Sequence, residues 1–403
     1  MVRYSFPRRS LFRHLCIFLA GSLLILTACA PSVKPGEDVP GAVVVPAHDA
    51  TSAVPLADSL LRADPVPITA ASSPRSAGGP HDFYSEGDYW WPDPENPDGP
   101  YIRRDGQTNP DNFVAHRYAM VDLSKAVAAL VAAYVETGDE KYARHALIYL
   151  RTWFVDPATR MNPNLLYAQA IKGRVTGRGI GIIDTVHLIE VARAIAVLRD
   201  RGFLPQSDET AITGWFASYL EWLTTHPYGL DERDHGNNHS VWYAAQVAAF
   251  ADLTDNEAEV DSTAVLFKRM LNAQMNDAGG FTDELSRTKP YIYTLFILEG
   301  YSVLAEYASR PGDNLWTYEG THGSLRDGWD FMLPYVRNKA DWPYPPDIMH
   351  FDEVPIQSVG MLLAARAYRD ENMLELWQSL DPTQRSAEIA RNFPIRQPLL
   401  WTQ

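Results

Sequence analysis

Cysteine is almost missing from this chain: among 403 residues only Cys16 and Cys29 occur, both before residue 30. The rest can hold neither a disulfide nor a thiolate metal site, and it offers no cysteine nucleophile. Positive charge is also scarce. Against 50 Asp and Glu stand 35 Lys and Arg, a formal net charge of −15, and setting aside the four arginines of the first 28 residues (Arg3, Arg8, Arg9, Arg13) lowers it to −19. Such an acidic balance argues against nucleic acid as a partner. No His-Glu-x-x-His and no Gly-x-Ser-x-Gly occurs, and the prolines within 93–99 break any calcium-loop register. Neither a metal-assisted hydrolase nor a serine hydrolase is supported, and no metal or cofactor is expected. With 46% apolar and 11% aromatic residues the chain can nevertheless build a large core, which excludes a wholly disordered protein.

At the N-terminus, basic residues from Arg3 to Arg13 precede an apolar run from Leu15 to Leu26 and then Leu26-Thr27-Ala28-Cys29. The run is short for a membrane span and reads as an export signal over residues 1–28. Leu-Thr-Ala-Cys resembles a bacterial lipobox, which implies cleavage before Cys29, lipidation of its thiol and membrane contact through that anchor alone. A plain secretory signal is the alternative, and Arg8-Arg9 hints at twin-arginine export. Either route puts the protein outside the cytoplasm, and Ala30 after a lipidated Cys favours the outer membrane, facing the periplasm or the cell surface. Residues 29–80 carry nine prolines and no aromatic residue, a composition that predicts a disordered tether. Phe83, Tyr84, Tyr89, Trp90 and Trp91 then arrive within nine residues, so the folded domain is predicted to span 81–403.

Beyond residue 110 apolar residues recur at helical spacing, as in Met120, Leu123, Val127, Leu130 and Tyr134, or Ile212, Trp215, Phe216, Tyr219, Leu220 and Leu223. Further helices are predicted over about 140–154, 181–200, 239–254, 259–275, 291–308, 321–337 and 354–369. No convincing strand alternation appears. The pattern predicts an all-α fold of helical hairpins, packed as a ring or an irregular bundle.

Polar chemistry collects in four segments. The first holds Tyr89, Trp90 and Trp91, then Arg103, Arg104 and Asn109; aromatic faces stack on sugar rings, and guanidinium groups bind carboxylates through a planar fork. Buried arm residues and structural Arg–Asp pairs would explain it equally well. The second, Gly173 to Asp184, looks like a nucleotide loop but follows no predicted strand. A loop entering a helix, with Arg178 aimed at a ligand carboxylate, fits better, and His187 beyond it reads as a core histidine. The third sets Asn237, Asn238 and His239 at a helix start, where unpaired N–H groups favour anions, with Trp242 and Tyr243 following. Asn237 also suits a plain N-cap. The fourth places Arg287 six residues before Tyr293, with Lys289 and Tyr291 between. A tyrosine acting as base needs cations to lower its pKa of about 10, and Arg287, Lys289 and His239 are the candidates.

Taken together, Asp88-Tyr89-Trp90-Trp91-Pro92-Asp93-Pro94, Arg104-Asp105-Gly106 with Asn109-Pro110, Gly177-Arg178-Gly179-Ile180-Gly181-Ile182-Ile183-Asp184, Asn237-Asn238-His239 and Arg287-Thr288-Lys289-Pro290 leading to Tyr293 resemble the alginate lyase family of polysaccharide lyases. They stand in family order across about 81–370. The resemblance implies an incomplete α/α toroid with an aromatic N-terminal arm and a groove across one end. It departs from the best-studied branch in that Ser240-Val241-Trp242 follows the Asn-His pair, where Arg-Tyr-Trp is usual, and this bears on substrate choice more than on reaction type.

The chemistry so implied is β-elimination on a β-1,4-linked polyuronate, alginate rich in mannuronate or glucuronan. Abstraction of the C5 proton builds charge on the sugar carboxylate, which Asn238, Arg287 and His239 would neutralise. A base takes the proton and an acid protonates the departing C4 oxygen. In mannuronate and glucuronate the C5 hydrogen and C4 oxygen share a side, so Tyr293 would serve as both base and acid. Guluronate, with the two on opposite sides, would need His239 as a separate base. The remaining candidates, Tyr89, Trp90, Trp91, Arg103, Arg104, Asn109, Arg178, Asn237, Trp242, Tyr243, Lys289 and Tyr291, would bind substrate. A positive groove on an acidic body is expected from Arg103, Arg104, Arg178, Arg287 and Lys289. Two other classes compete: a glycoside hydrolase using facing carboxylates among Asp105, Asp184 and Glu284, and a non-catalytic glycan-binding lipoprotein.

Overall fold

The computed structural model describes residues 52–402, which belong to one compact unit. The proposed signal, the lipidation site at Cys29 and the first part of the tether lie outside the described residues. Fifteen helices are described: α1 Val54–Leu60, α2 Ala115–Thr137, α3 Glu140–Phe154, α4 Leu188–Asp200, α5 Gln206–Thr225, α6 Pro227–Arg233, α7 Asn238–Leu253, α8 Glu257–Gln274, α9 Thr282–Leu285, α10 Pro290–Ala308, α11 Leu325–Arg337, α12 Val359–Tyr368, α13 Glu371–Ser379, α14 Ala387–Asn392 and α15 Pro398–Trp401. Short strands interrupt them. β1 (Tyr84–Glu86) pairs in parallel with β4 (Tyr167–Ala170), and β2 (Trp90–Trp91) pairs antiparallel with β3 (Ile102–Arg103).

Packing sorts the helices into two layers. Each of α2, α4, α7, α10 and α12 touches the next, forming an inner layer, while α3, α5, α8, α11 and α13 pack against its outside. The C-terminal α15 touches α2, α4 and α12, and so spans the seam between the first and last inner helices. This is an incomplete α/α toroid. Sequence explains the layering: in α11 the buried residues Leu325, Gly328, Trp329, Met332 and Val336 follow a single helical stripe, whereas in α10 every residue except Glu306 is buried. A helix apolar all round must be enclosed by others. For the same reason α2 has the length and composition of a membrane span, yet 72% of that stretch is buried inside the domain.

Helix ends follow local chemistry. Asn237 caps α7 by accepting from the His239 N–H, and Pro290 occupies the first turn of α10. The helix predicted over 181–200 is split into a 3-10 turn, Gly179–Thr185, and α4. Glycines before and within that turn allow close contact: a Cβ on Gly177 would sit 1.9 Å from the Leu166 carbonyl oxygen, and one on Gly181 2.6 Å from the Ala168 Cβ. The helix predicted over 321–337 starts later, at a capping box between Ser324 and Asp327.

The tether assignment for 29–80 requires correction over its described part. Helix α1 packs on α2, Ala53, Ala57 and Ile68 are buried, and Glu136 of α2 accepts from the Ser52 hydroxyl and the Ala53 N–H. Small apolar residues at helical spacing suffice to dock a short helix on an existing core, so lack of aromatics did not prevent order there.

Candidate functional site

A cavity of about 410 Å³ opens among β2, the arm, the 3-10 turn, the start of α7 and the start of α10, and its lining includes Asn238, His239, Arg287 and Tyr293. Tyr89, Trp90, Arg103, Arg178 and Asn237 line it as well.

Each of the four central side chains is held from behind. Asn238 donates its N–H and one Nδ2 hydrogen to the two carboxylate oxygens of Glu284, both at 2.8 Å, which fixes the amide and leaves its second Nδ2 hydrogen for a ligand. Burial pushes the Glu284 carboxyl up, and the Asn238 bonds pull it back. The His239 Nδ1 lies 2.7 Å from Oε1 of the fully buried Glu232. With Nδ1–H donating to a carboxylate, Nε2 is the atom left as acceptor. Arg287 donates from Nε and Nη2 to Asp105 at 3.2 and 3.0 Å, and its Cζ stands 4.6 Å from the centroid of the Tyr293 ring. Asp105 also accepts from Arg103 and Thr288. Burial would raise its carboxyl, but Arg287, Arg103 and Thr288 outweigh that and hold it at about 2.

The Tyr293 hydroxyl lies 2.7 Å from that of Tyr89. Burial pushes the Tyr293 phenol above its ordinary value, against the opposing pull of Arg287 and the Tyr89 hydrogen bond. The expected lowering by cations is therefore overturned, because desolvation of a phenolate outweighs one shared guanidinium.

Other candidates sit elsewhere. Lys289 is fully buried, 2.8 Å from Glu388 and below the Tyr89 ring. Tyr291 points away from the cavity and donates to the Tyr335 carbonyl, ringed by Trp342 and Phe351. Trp242 and Tyr243 are core residues that donate to the carbonyls of Phe296 and Leu223. Asn109 braces the arm by donating to the Trp90 carbonyl, and Arg104 lies over Trp91, whose indole donates to Gln107. Of the five cations expected to make a positive groove, Arg103, Arg178 and Arg287 line the cavity.

Sequence reasoning missed Gln169, His235, Arg391 and Asn392, which line the cavity too. Arg391 arrives on α14 and pairs with Asp88 and Glu388. Asp88 also pairs with Arg117, and Arg117 with Asp184. This alternating chain of charges ties the arm, α2, the 3-10 turn and α14 together beneath the cavity. His187 is buried and meets Arg396.

An alginate lyase family model matches residues 67–342. The chain belongs to the alginate lyase family. A crystal structure of an alginate lyase from Bacteroides ovatus is 32% identical, with a TM-score of 0.76 over 87% of this chain and 91% of that one. Alginate lyase A1-III from Sphingomonas species A1 shares the fold at 17% identity and a TM-score of 0.54, over 81% and 90% of the two chains. A histidine-to-alanine variant of A1-III complexed with a tetrasaccharide gives a TM-score of 0.58 at 17% identity, over 87% and 94%. No curated protein sequence matches the chain. The lyase is thus an enzyme of polysaccharide degradation. The hydrolase alternative has no free acid pair to work with: Asp105, Asp184 and Glu284 are each held by hydrogen-bond donors, and the binder alternative falls with the family.

Proposed function

We propose that this lyase cleaves mannuronate-rich alginate, or glucuronan, by β-elimination. The observation that carries the reading is the convergence of Asn238, His239, Arg287 and Tyr293 on one cavity, from two segments that begin 49 residues apart along the chain. In this reading Asn238 and Arg287 hold the C5 carboxylate and stabilise the enediolate-like intermediate. Tyr293, ionised, removes the C5 proton and returns it to the C4 oxygen as the glycosidic bond breaks. The Tyr89 hydroxyl and Arg287 favour that ionised oxygen against the cost of burial.

One observation favours guluronate instead. Glu232 leaves His239 Nε2 as a proton acceptor, so His239 would be the base and the phenol of Tyr293, raised by burial, the acid. Incubating the full chain with polymannuronate, polyguluronate and glucuronan while following ultraviolet absorbance tests both. Faster appearance of the conjugated C4–C5 double bond from polymannuronate or glucuronan is expected. A lead for polyguluronate moves the base to His239, and absence of the chromophore from all three sinks the function.

With His239 as the base, Glu232→Gln should lower kcat by roughly 10²-fold, because an amide no longer enforces the Nδ1–H tautomer. Unchanged kcat in steady-state kinetics would remove His239 from the chemistry. The basic and apolar N-terminus ending in Leu26-Thr27-Ala28-Cys29 supports an exported lipoprotein, probed by lipid labelling of Cys29.

A further inference from the structure

A second cavity, of about 420 Å³ against about 410 Å³ for the first, lies between α2 and the chain leading into α14, and the two share no lining residue. Most of α2 is enclosed, yet Tyr118, Val121, Asp122 and Lys125, three or four residues apart on one stripe, form its wall of this cavity. Tyr118 is 49% exposed, the one aromatic ring among the large apolar side chains left open to solvent in the described residues. Lys125 is half-buried, and no acid stands within ion-pairing distance of it among the described residues. Burial, together with the charge of the buried Arg396, pushes its ammonium down, and Asp122 offsets only part of this.

The other wall is held in place. Gln384 accepts from the Arg396 Nε at 3.1 Å and donates to the Phe393 carbonyl at 2.8 Å, Arg385 pairs with Asp381, and the Ser386 hydroxyl caps α14. Ala387 and Ala390 add only methyl groups to the lining. An open ring suits the CH face of a pyranose, an unpaired ammonium suits a carboxylate, and the Asp122 carboxylate can accept from sugar hydroxyls. A neutral sugar would leave Lys125 unmatched, and a small carboxylate would leave the Tyr118 ring uncovered. The volume is that of a small-ligand site.

We propose that this cavity is a second sugar-acid site, separate from the catalytic one, which binds a short stretch of polyuronate through Tyr118 and Lys125 and gives the lyase a further hold on long chains. The ligand class rests on the elimination reading above. A body with a formal charge of −15 repels a polyanion at long range, so an added cationic contact matters most where the polymer is long.

The test reads Lys125 directly. The full chain is treated briefly with acetic anhydride, with and without a mannuronate disaccharide, and acetylation of Lys125 is followed by peptide mass spectrometry with the exposed Lys141 as reference. At a few times its Kd the disaccharide should slow labelling of Lys125 by roughly 5-fold and leave Lys141 unchanged. Cellobiose and acetate should not protect, and Tyr118→Ala should remove most of the protection. Lys125→Met should raise KM on long polymannuronate by roughly 2- to 5-fold, with kcat and the KM for a tetrasaccharide unchanged. Equal labelling with and without the disaccharide, equal protection by acetate, or full protection in Tyr118→Ala overturns the site. An unchanged KM on the long polymer, or the same rise on both lengths, overturns the added hold. Failure of the parent reading looks different: no unsaturated product would form from any polymer, whereas the labelling of Lys125 needs no turnover.

Discussion

Tyr293→Phe should lower kcat by roughly 10³-fold and leave oligosaccharide affinity nearly unchanged. The substitution deletes one oxygen and keeps the ring that Arg287 covers, so packing and the Arg287–Asp105 pair persist. On the proposed mechanism, what disappears is the proton donor to the departing C4 oxygen and, for mannuronate, the base. Initial rates of double-bond absorbance combined with calorimetric binding would separate the two effects, and retention of a tenth of wild-type kcat would remove Tyr293 from the reaction. Tyr291→Phe is the control: its hydroxyl serves the Tyr335 carbonyl, so kcat should stay near wild type. If Tyr291→Phe is the dead variant, the acid lies two residues earlier.

The second large effect concerns stability. Arg396, on the C-terminal segment, donates to the Ser124 hydroxyl of α2 and to the carbonyls of Ala390 and Pro394, and it contacts the His187 Nδ1. Glu190 of α4 accepts from the backbone N–H groups of Arg396 and Gln397. Arg396→Met should destabilise the lyase by about 3–5 kcal/mol, because Glu190 is then buried without a compensating charge. The pH dependence has a definite sign. Burial, opposed by Arg396, raises the Glu190 carboxyl from 4.5 to about 7. A carboxyl raised on folding stabilises the native state below its unfolded value, and that contribution is lost as pH rises through the folded value. Without Arg396 the carboxyl rises further, so the deficit should be smaller at pH 5 than at pH 8. Thermal unfolding across that range checks it; a deficit independent of pH would show that Arg396 acts through its hydrogen bonds alone. Since α14 on the same segment carries Arg391 and Asn392 into the cavity, activity should fall alongside stability.

Much of the candidate site was legible because its residues are clustered in short stretches. Asn237 to His239 sit at one helix start, and Arg287 to Tyr293 lead into another. What local sequence could not supply was the orientation of residues on α10. Tyr291 and Tyr293 are two positions apart on a helix, about 200° around its axis, and in an amphipathic helix the apolar stripe would show which one faces the core. Here almost every residue is buried, so no stripe exists. Lys289, Trp242 and Tyr243 were misread for the same reason: on enclosed helices a polar or aromatic residue can serve packing as readily as a ligand.

Alone, the sequence determined the helical class and the grouping of amide, imidazole, guanidinium and phenol in a few short segments. Those properties are written in spacing and in residue type. Tertiary structure decided which groups meet. Glu232, Glu284 and Asp105 became supports for His239, Asn238 and Arg287, and Arg391 joined Asp88 from 303 residues away. Such pairings depend on how the layers close, since the chain folds remote carboxylates against buried cations only where the toroid brings them together and removes the water that would otherwise solvate them.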